Sequence, residues 1–127
     1  MIFYDKINKI DLIMSISASN NNIKVWNAKN WECIININKI NISGCLVSAC
    51  FLFDKNENYI VSSNDKLGVC DPIKIFNFKG DKIKEINNSS HLTCFIDTYY
   101  DNKLAQNYII TGNYKFVKSY DYNKNDI

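Results

Sequence analysis

Apolar residues fall in short runs along most of the chain, and polar turn-forming residues separate those runs. In the first forty residues the apolar runs occupy residues 2–4, 12–17, 23–27 and 31–38. Further runs follow at residues 46–53, 59–63, 73–78, 82–86, 92–98, 108–111 and 116–120. β-Branched and aromatic residues dominate them, and the 3.6-residue spacing of an amphipathic helix is absent. The pattern predicts an all-β protein built from short strands joined by polar turns.

A five-residue pattern recurs three times, at residues 23–27, 73–77 and 117–121. Each copy runs β-branched residue, lysine, a strand-compatible residue, an aromatic residue, and Asn or Asp. A small-residue triplet precedes each copy by six, eleven and six residues, so the middle copy carries about five extra residues. The resulting period of about 45 residues indicates an array of structural repeats.

The repeated pattern resembles the second and third strands of a WD-repeat β-propeller. Trp26 with the Asn that follows it resembles the WD dipeptide, and Phe76 and Tyr120 head weaker versions of it. Ser90-His91 resembles the Gly-His dipeptide that opens such a repeat. The resemblance implies four-stranded antiparallel blades, and it places Trp26 and Phe76 in the buried layer between adjacent blades.

The resemblance divides the chain into blades at residues 1–40, 41–90 and 91–127, the last without its fourth strand. The propeller would then be incomplete and open, with about 2.75 blades where closed forms have about 4–8. We therefore expect the chain to be a fragment of a larger propeller or an incomplete gene model, in preference to a self-associating unit, because it ends in the middle of a blade. The open faces would be covered by further blades or by self-association.

The same resemblance assigns structural roles within each repeat. In WD repeats a His, a Ser or Thr on the second strand, an Asp in the next turn and the Trp form a hydrogen-bond network, and no repeat of this chain has all four. The structural repeat positions predicted in this way are Trp26, Phe76, Tyr120, His91, Ser17, Ser62 and Thr111.

The candidate chemistry is sparse. His91 is the single histidine, and no cysteine or acid is spaced to complete a zinc site with it. The chain lacks a glycine-rich phosphate loop and a nucleotide-binding fingerprint. We predict no catalytic residue, no metal site and no cofactor. The repeated Lys24, Lys74 and Lys118 are interpreted as side chains whose stems lie on apolar surface while the ammonium stays in water.

The insertion at residues 66–71 is expected to form an exposed loop. It is the best candidate for a partner-binding feature, because loops on a rigid scaffold are where function concentrates. A tolerated surface insertion is an equally good interpretation. The partner-binding residues predicted from this insertion and from the neighbouring turns are Asn21, Asn22, Lys66, Leu67, Asp71 and Tyr114.

The predicted function is a non-catalytic protein-interaction scaffold of the WD-repeat type. An alternative is a targeting or substrate-recruiting segment of a larger enzyme assembly, such as a kinase or ubiquitin ligase. Nucleic-acid binding is the third hypothesis, which a net charge of +2 does not favour.

Five cysteines without a CxxC pair predict free thiols and an intracellular protein, cytoplasmic or nuclear. Charged residues interrupt the first fourteen positions, which argues against a signal peptide. No run approaches the ~18 apolar residues of a membrane span, so no membrane partner is expected.

Overall fold

A computed structural model describes residues 1–38, 44–66, 69–87 and 93–124, with backbone only at residues 66, 69 and 70. Every regular element in this part of the chain is a β-strand. The strands are β1 (Ile2–Asp5), β2 (Ile10–Ser17), β3 (Asn22–Asn27), β4 (Cys33–Ile37), β5 (Cys45–Asp54), β6 (Glu57–Lys66), β7 (Val69–Cys70), β8 (Ile73–Asn77), β9 (Lys82–Ile86), β10 (Phe95–Asp101), β11 (Gln106–Gly112) and β12 (Val117–Asp121).

The strands form three antiparallel sheets in chain order. The first sheet has the order β1-β2-β3-β4, the middle sheet β5-β6-β8-β9 with β7 paired to β6, and the third sheet β10-β11-β12. Each sheet is a meander, because neighbouring strands are also consecutive in the main path. The prediction of an all-β fold of antiparallel sheets is confirmed.

Turn chemistry explains how the hairpins close. Lys55 and Asn56 both have positive φ, at 47° and 63°, and together make the two-residue connection between β5 and β6. Two positive φ angles match the right-handed twist of the flanking strands, as in type I′ hairpins. The longer turns after β1 and β10 each end on one residue with positive φ, Lys9 and Ala105.

The middle sheet packs on both of its neighbours. One face, with Phe51, Ile60 and Phe76, joins the first sheet in a cluster that includes Leu12 and Val25. Alternation along the strands places other side chains on the opposite face. Those side chains meet the third sheet in a second cluster, which contains Cys50, Leu52, Val61, Ile73, Ile75, Ile86, Ile96 and Ile109. The result is a stack of three sheets with two separate apolar layers.

Two details differ from the sequence prediction. Residues 66–71 were expected to form an exposed loop, but β6 continues to Lys66 and pairs with Val69 and Cys70 of β7. The described residues at the two sides of the insertion, Lys66 and Val69–Cys70, therefore belong to the sheet. β3–β4 and β8–β9 share a bulge at the same repeat position, between Val25 and Trp26 and between Ile75 and Phe76. These bulges were not predicted.

Within the described residues, the chain contains no helix that is long and apolar enough to cross a membrane.

Candidate interaction surface

The first strands of the three sheets border an open groove of about 920 Å³. It lies at the end of the stack where β1 turns into β2, β5 into β6 and β10 into β11. Residues from all three sheets line it, including Tyr4, Phe53 and Tyr100. The groove therefore exists only because the three sheets are stacked side by side.

Aromatic and charged side chains share the groove. Tyr4 and Tyr100 are about half exposed, at 52% and 48%. The Lys6 ammonium lies over the Phe53 ring, 5.7 Å from its centroid. Lys55 and Asp97 also line the groove, so both charge signs are present. The surface offers stacking planes and polar groups of both signs to a bound molecule.

A repeated Asp–Asn contact braces this end of the stack. The side chain of Asn107, on β11, donates to Asp54 Oδ1 at 2.8 Å and to the Phe53 carbonyl at 3.1 Å. Asn58, at the equivalent position of β6, hydrogen-bonds to Asp5. In both junctions, the Asp that ends the first strand of one sheet accepts from an Asn on the second strand of the next.

The carboxylate of Asp5 is buried, with 1% exposure, and is satisfied by several donors. It accepts from the backbone N–H groups of Ile7 and Asn8 at 2.9 and 3.2 Å, and from Asn8 Nδ2 at 2.8 Å. Burial alone would raise the pKa of Asp5. The hydrogen bonds from Asn8, Asn58 and the backbone outweigh it and hold the pKa below its ordinary value. Asp5 therefore stays ionised and braces the junction.

Four of the six residues that the sequence predicted for partner binding, Asn21, Asn22, Asp71 and Tyr114, lie at the opposite end of the stack. Asn21, in the β2–β3 turn, donates to the Gly44 carbonyl and accepts from the Leu46 N–H at 2.7 Å. Asn22 donates to Asn36 Oδ1 at 2.7 Å. These contacts tie the turn to its surroundings: Asn21 joins the first sheet to the segment entering β5, and Asn22 crosses to β4.

Asp71 and Tyr114 occupy the same end. Asp71 pairs with Lys74 at 3.2 Å, and its side chain is 16% exposed. Tyr114, in the β11–β12 turn, is 81% exposed, and the Lys115 ammonium lies 5.4 Å from its ring centroid. Of the remaining two candidates, Leu67 and the Lys66 side chain lie outside the described residues.

The structural repeat positions form matched pairs on β6 and β8 of the middle sheet. Ile60 pairs with Phe76, and Ser62 pairs with Lys74. All four residues are buried, at 0, 5, 0 and 8% exposure. Ile60 and Phe76 belong to the layer facing the first sheet. The burial predicted for Phe76 is confirmed.

The third sheet has equivalent pairs on the face that packs against the middle sheet. Ile109 pairs with Tyr120, and Thr111 pairs with Lys118. Ile109 and Tyr120 belong to the layer shared with the middle sheet, and Thr111 is 4% exposed. The predicted partner of Thr111, His91, lies outside the described residues.

In the first sheet the same pairs lie on an open face. Ile13 pairs with Trp26, and Ser15 pairs with Lys24. The Trp26 indole N–H donates to Ser15 Oγ at 2.9 Å, in an exposed position. The prediction that Trp26 is buried between sheets is wrong, because no described sheet lies against this face.

Strand register also corrects the serine assigned to the first repeat. Ser17 pairs with Asn22, while Ser15 stands opposite the repeated Lys24, as Ser62 and Thr111 stand opposite theirs. The connection from Ser15 to Lys24 is two residues longer than the connection from Thr111 to Lys118. This difference in length hid the equivalence of Ser15 and Thr111 in the sequence. Ser15 is therefore the equivalent of Ser62 and Thr111.

Four cysteines, Cys33, Cys45, Cys50 and Cys94, are free thiols. Burial raises the pKa of the Cys50 thiol, and the nearby Asp97 adds to that rise. A thiol held protonated in an apolar layer is a packing group and a poor nucleophile. Within the described residues, no group of three His, Cys, Asp or Glu side chains could hold a metal ion.

Sequence reasoning missed the groove and the Asp–Asn contacts. A signal for the contacts was available, because Asp5, Asp54 and Asp101 recur 49 and 47 positions apart, close to the repeat period. The groove had no comparable signal, because its side chains meet only after the three sheets stack.

Comparison of the chain with protein-family models, curated proteins and solved structures found no match.

Proposed function

We propose that this chain is a WD-repeat protein-interaction scaffold, with its three sheets as consecutive blades of a β-propeller and with no catalytic role. The repeated pairs support the blade assignment, since each sheet presents an aromatic residue, a lysine and a Ser or Thr at the same paired positions. The Trp26–Ser15 hydrogen bond fits the network that this family builds within a blade. Function is argued from the surface, because a fold alone does not fix it.

The groove between β1, β5 and β10 is the observation that carries the proposed function. Tyrosines are enriched at protein interfaces because they supply contact area and a polar tip at a modest entropy cost. Tyr4 and Tyr100 stand on opposite sides of this groove, on the first and third sheets. The volume of the groove, about 920 Å³, and its lining from three sheets suit a peptide segment of a partner protein.

The charges in the groove favour a protein over a nucleic acid. Lys6 and Lys55 are offset by Asp54 and Asp97 in the same lining. A phosphate backbone needs a surplus of cations, and its binding falls steeply with salt. A peptide with side chains of both signs can match a mixed surface.

Selection from a displayed random-peptide library against the purified chain tests this function. We expect an enriched peptide family whose affinity falls at least ~10-fold in Tyr100→Ala, because an anchor aromatic typically contributes more than ~1.4 kcal/mol. Tyr114→Ala is the matched control, since it removes an exposed tyrosine at the opposite end. Failure to enrich any peptide would contradict the scaffold function. Loss of binding in Tyr114→Ala alone would move the site to the opposite end.

A further inference from the structure

Both outer faces of the stack carry residues at the repeat positions that form the two internal junctions. The outer face of the first sheet carries Ile13, Ser15, Lys24 and Trp26 at positions equivalent to Ile60, Ser62, Lys74 and Phe76 of the middle sheet. The middle-sheet set is buried against the first sheet. The outer face of the first sheet thus has the composition of a junction surface, and in the described part of the chain no sheet lies against it.

The outer face of the third sheet carries the complementary half of a junction. Strand pairing and alternation place Tyr99, Tyr108, Ile110 and Val117 on this face. Their equivalents pack on the following sheet in both internal junctions. Those equivalents are Phe3, Leu12, Met14 and Ile23 in the first sheet and Leu52, Tyr59, Val61 and Ile73 in the middle sheet.

We propose that two copies of this chain join head to tail, with the third sheet of each copy packed on the first sheet of the other. Both contacts then repeat the internal junctions, and six sheets close into a ring. Six sheets fall within the ~4–8 of closed propellers. A head-to-tail contact that closes on itself ends the assembly at two copies.

The area of the faces favours the closed pair over a single contact. Three strands at ~4.8 Å spacing and ~18 Å length give roughly 260 Å² of projected face. One contact buries about twice that, near 500 Å², which is below the ~1,000 Å² expected of a specific interface. Two contacts reach about 1,000 Å², and corrugation of the side chains adds to it. Only the closed pair attains the size of a stable interface.

The repeated Asp–Asn contact provides an internal probe of this arrangement. Asp101 ends β10 as Asp5 ends β1 and Asp54 ends β5. Asp11 occupies in the first sheet the position that Asn58 occupies in the middle sheet and Asn107 in the third. Each of these residues pairs with the aromatic residue that precedes the strand-ending Asp, which is Tyr4, Phe53 and Tyr100 respectively. In the closed pair Asp101 therefore faces Asp11 where the internal junctions have Asn. Two carboxylates there oppose association, and Asp11→Asn restores the internal pairing.

Sedimentation equilibrium of the full 127-residue chain, up to about 100 μM, tests the proposal. We expect a dimer of twice 14.7 kDa with no larger species. Asp11→Asn should lower the dissociation constant at least ~10-fold, since hydrogen bonds to charged groups are worth more than that factor. Glu32→Gln, which makes the same charge change in the β3–β4 turn, should leave the constant unchanged.

Two variants place a charge on opposite faces of the contact. Trp26→Asp on the first sheet and Val117→Asp on the third should each give a monomer with an unchanged far-ultraviolet spectrum. Trp31→Asp is the control, since Trp31 is 68% exposed and lies in the β3–β4 turn, outside the strands that form the proposed contact. A monomeric wild-type chain, a dimer that survives both face variants, an Asp11→Asn constant equal to wild type, or growth beyond two copies would each overturn the proposal.

Discussion

Phe76 and Trp26 occupy the same repeat position but different surroundings, and this contrast yields a quantitative prediction. Phe76 is 5% exposed and packs in the layer between the first and middle sheets. Phe76→Ala should lower the free energy of unfolding by ~3–5 kcal/mol, because the transfer free energy of the ring is lost and a cavity is left behind. Trp26 has an open face and an exposed hydrogen bond to Ser15. Trp26→Ala should therefore cost the isolated monomer only about 1 kcal/mol.

Urea unfolding followed by far-ultraviolet circular dichroism measures both costs, at a concentration where sedimentation shows monomer. A chain of 127 residues has roughly 6–19 kcal/mol of stability at ~0.05–0.15 kcal/mol per residue. Phe76→Ala could thus unfold the protein, and Phe76→Leu, expected to cost about 1 kcal/mol, keeps the measurement usable. Equal costs for Trp26→Ala and Phe76→Ala would refute the assignment of one position to an open face and the other to a buried layer.

Three further predictions concern the buried polar and thiol groups. The lowered pKa of Asp5 means that its ionised form adds stability that is present above the ordinary pKa of 3.8 and is lost as pH falls through the folded value. Unfolding of wild type below about pH 4 should therefore be more pH-dependent than that of Asp5→Asn; identical acid profiles would contradict this. Asn107→Ala should lower the free energy of unfolding by ~1–3 kcal/mol, because it removes the donor to Asp54. Asn107→Asp should lower it more at pH 7 than at pH 4. A loss of stability in Asn107→Asp that is independent of pH would count against the contact. Cys50 should react with Ellman's reagent only on unfolding, while the exposed Cys33, Cys45 and Cys94 react in the native state; fast native labelling of Cys50 would rule out its buried position.

The sequence pattern predicted the strands well, because the signals of a strand lie in neighbouring residues. The runs at residues 23–27, 73–78 and 82–86 became β3, β8 and β9 with bounds that shift by at most one residue. Alternation identifies a strand, and turn residues such as Asn56 and Gly80 mark where it ends. The long strand β6 was underestimated at both ends, since Ser62 to Lys66 reads as a polar stretch. Its pairing with β7 keeps that stretch in the sheet.

Contacts between sheets could not be read from the same pattern. Trp26 was expected to be buried because its repeat position is buried elsewhere, but burial depends on which sheet lies against that face. Spacing in sequence assigned Ser17 to the position that Ser15 occupies, because it ignores how far a hairpin extends before it turns. The groove lined by Tyr4 and Tyr100 depends on residues about a hundred positions apart. Such long-range geometry follows from the stacking order of the sheets.

The position of the middle sheet between two separate apolar layers has a consequence for how the protein unfolds. The first and third sheets each lose an apolar layer if the middle sheet melts, while the middle sheet keeps one layer if either neighbour melts. In the monomer, which is an open stack, stability is close to a sum of unit and nearest-neighbour terms. Amide hydrogens of β6 and β8 should then exchange only through global opening, and those of β1 and β12 through partial openings of lower free energy. The chain would fray from its two ends toward the centre, so a protease would trim the outer sheets before it cut the middle one.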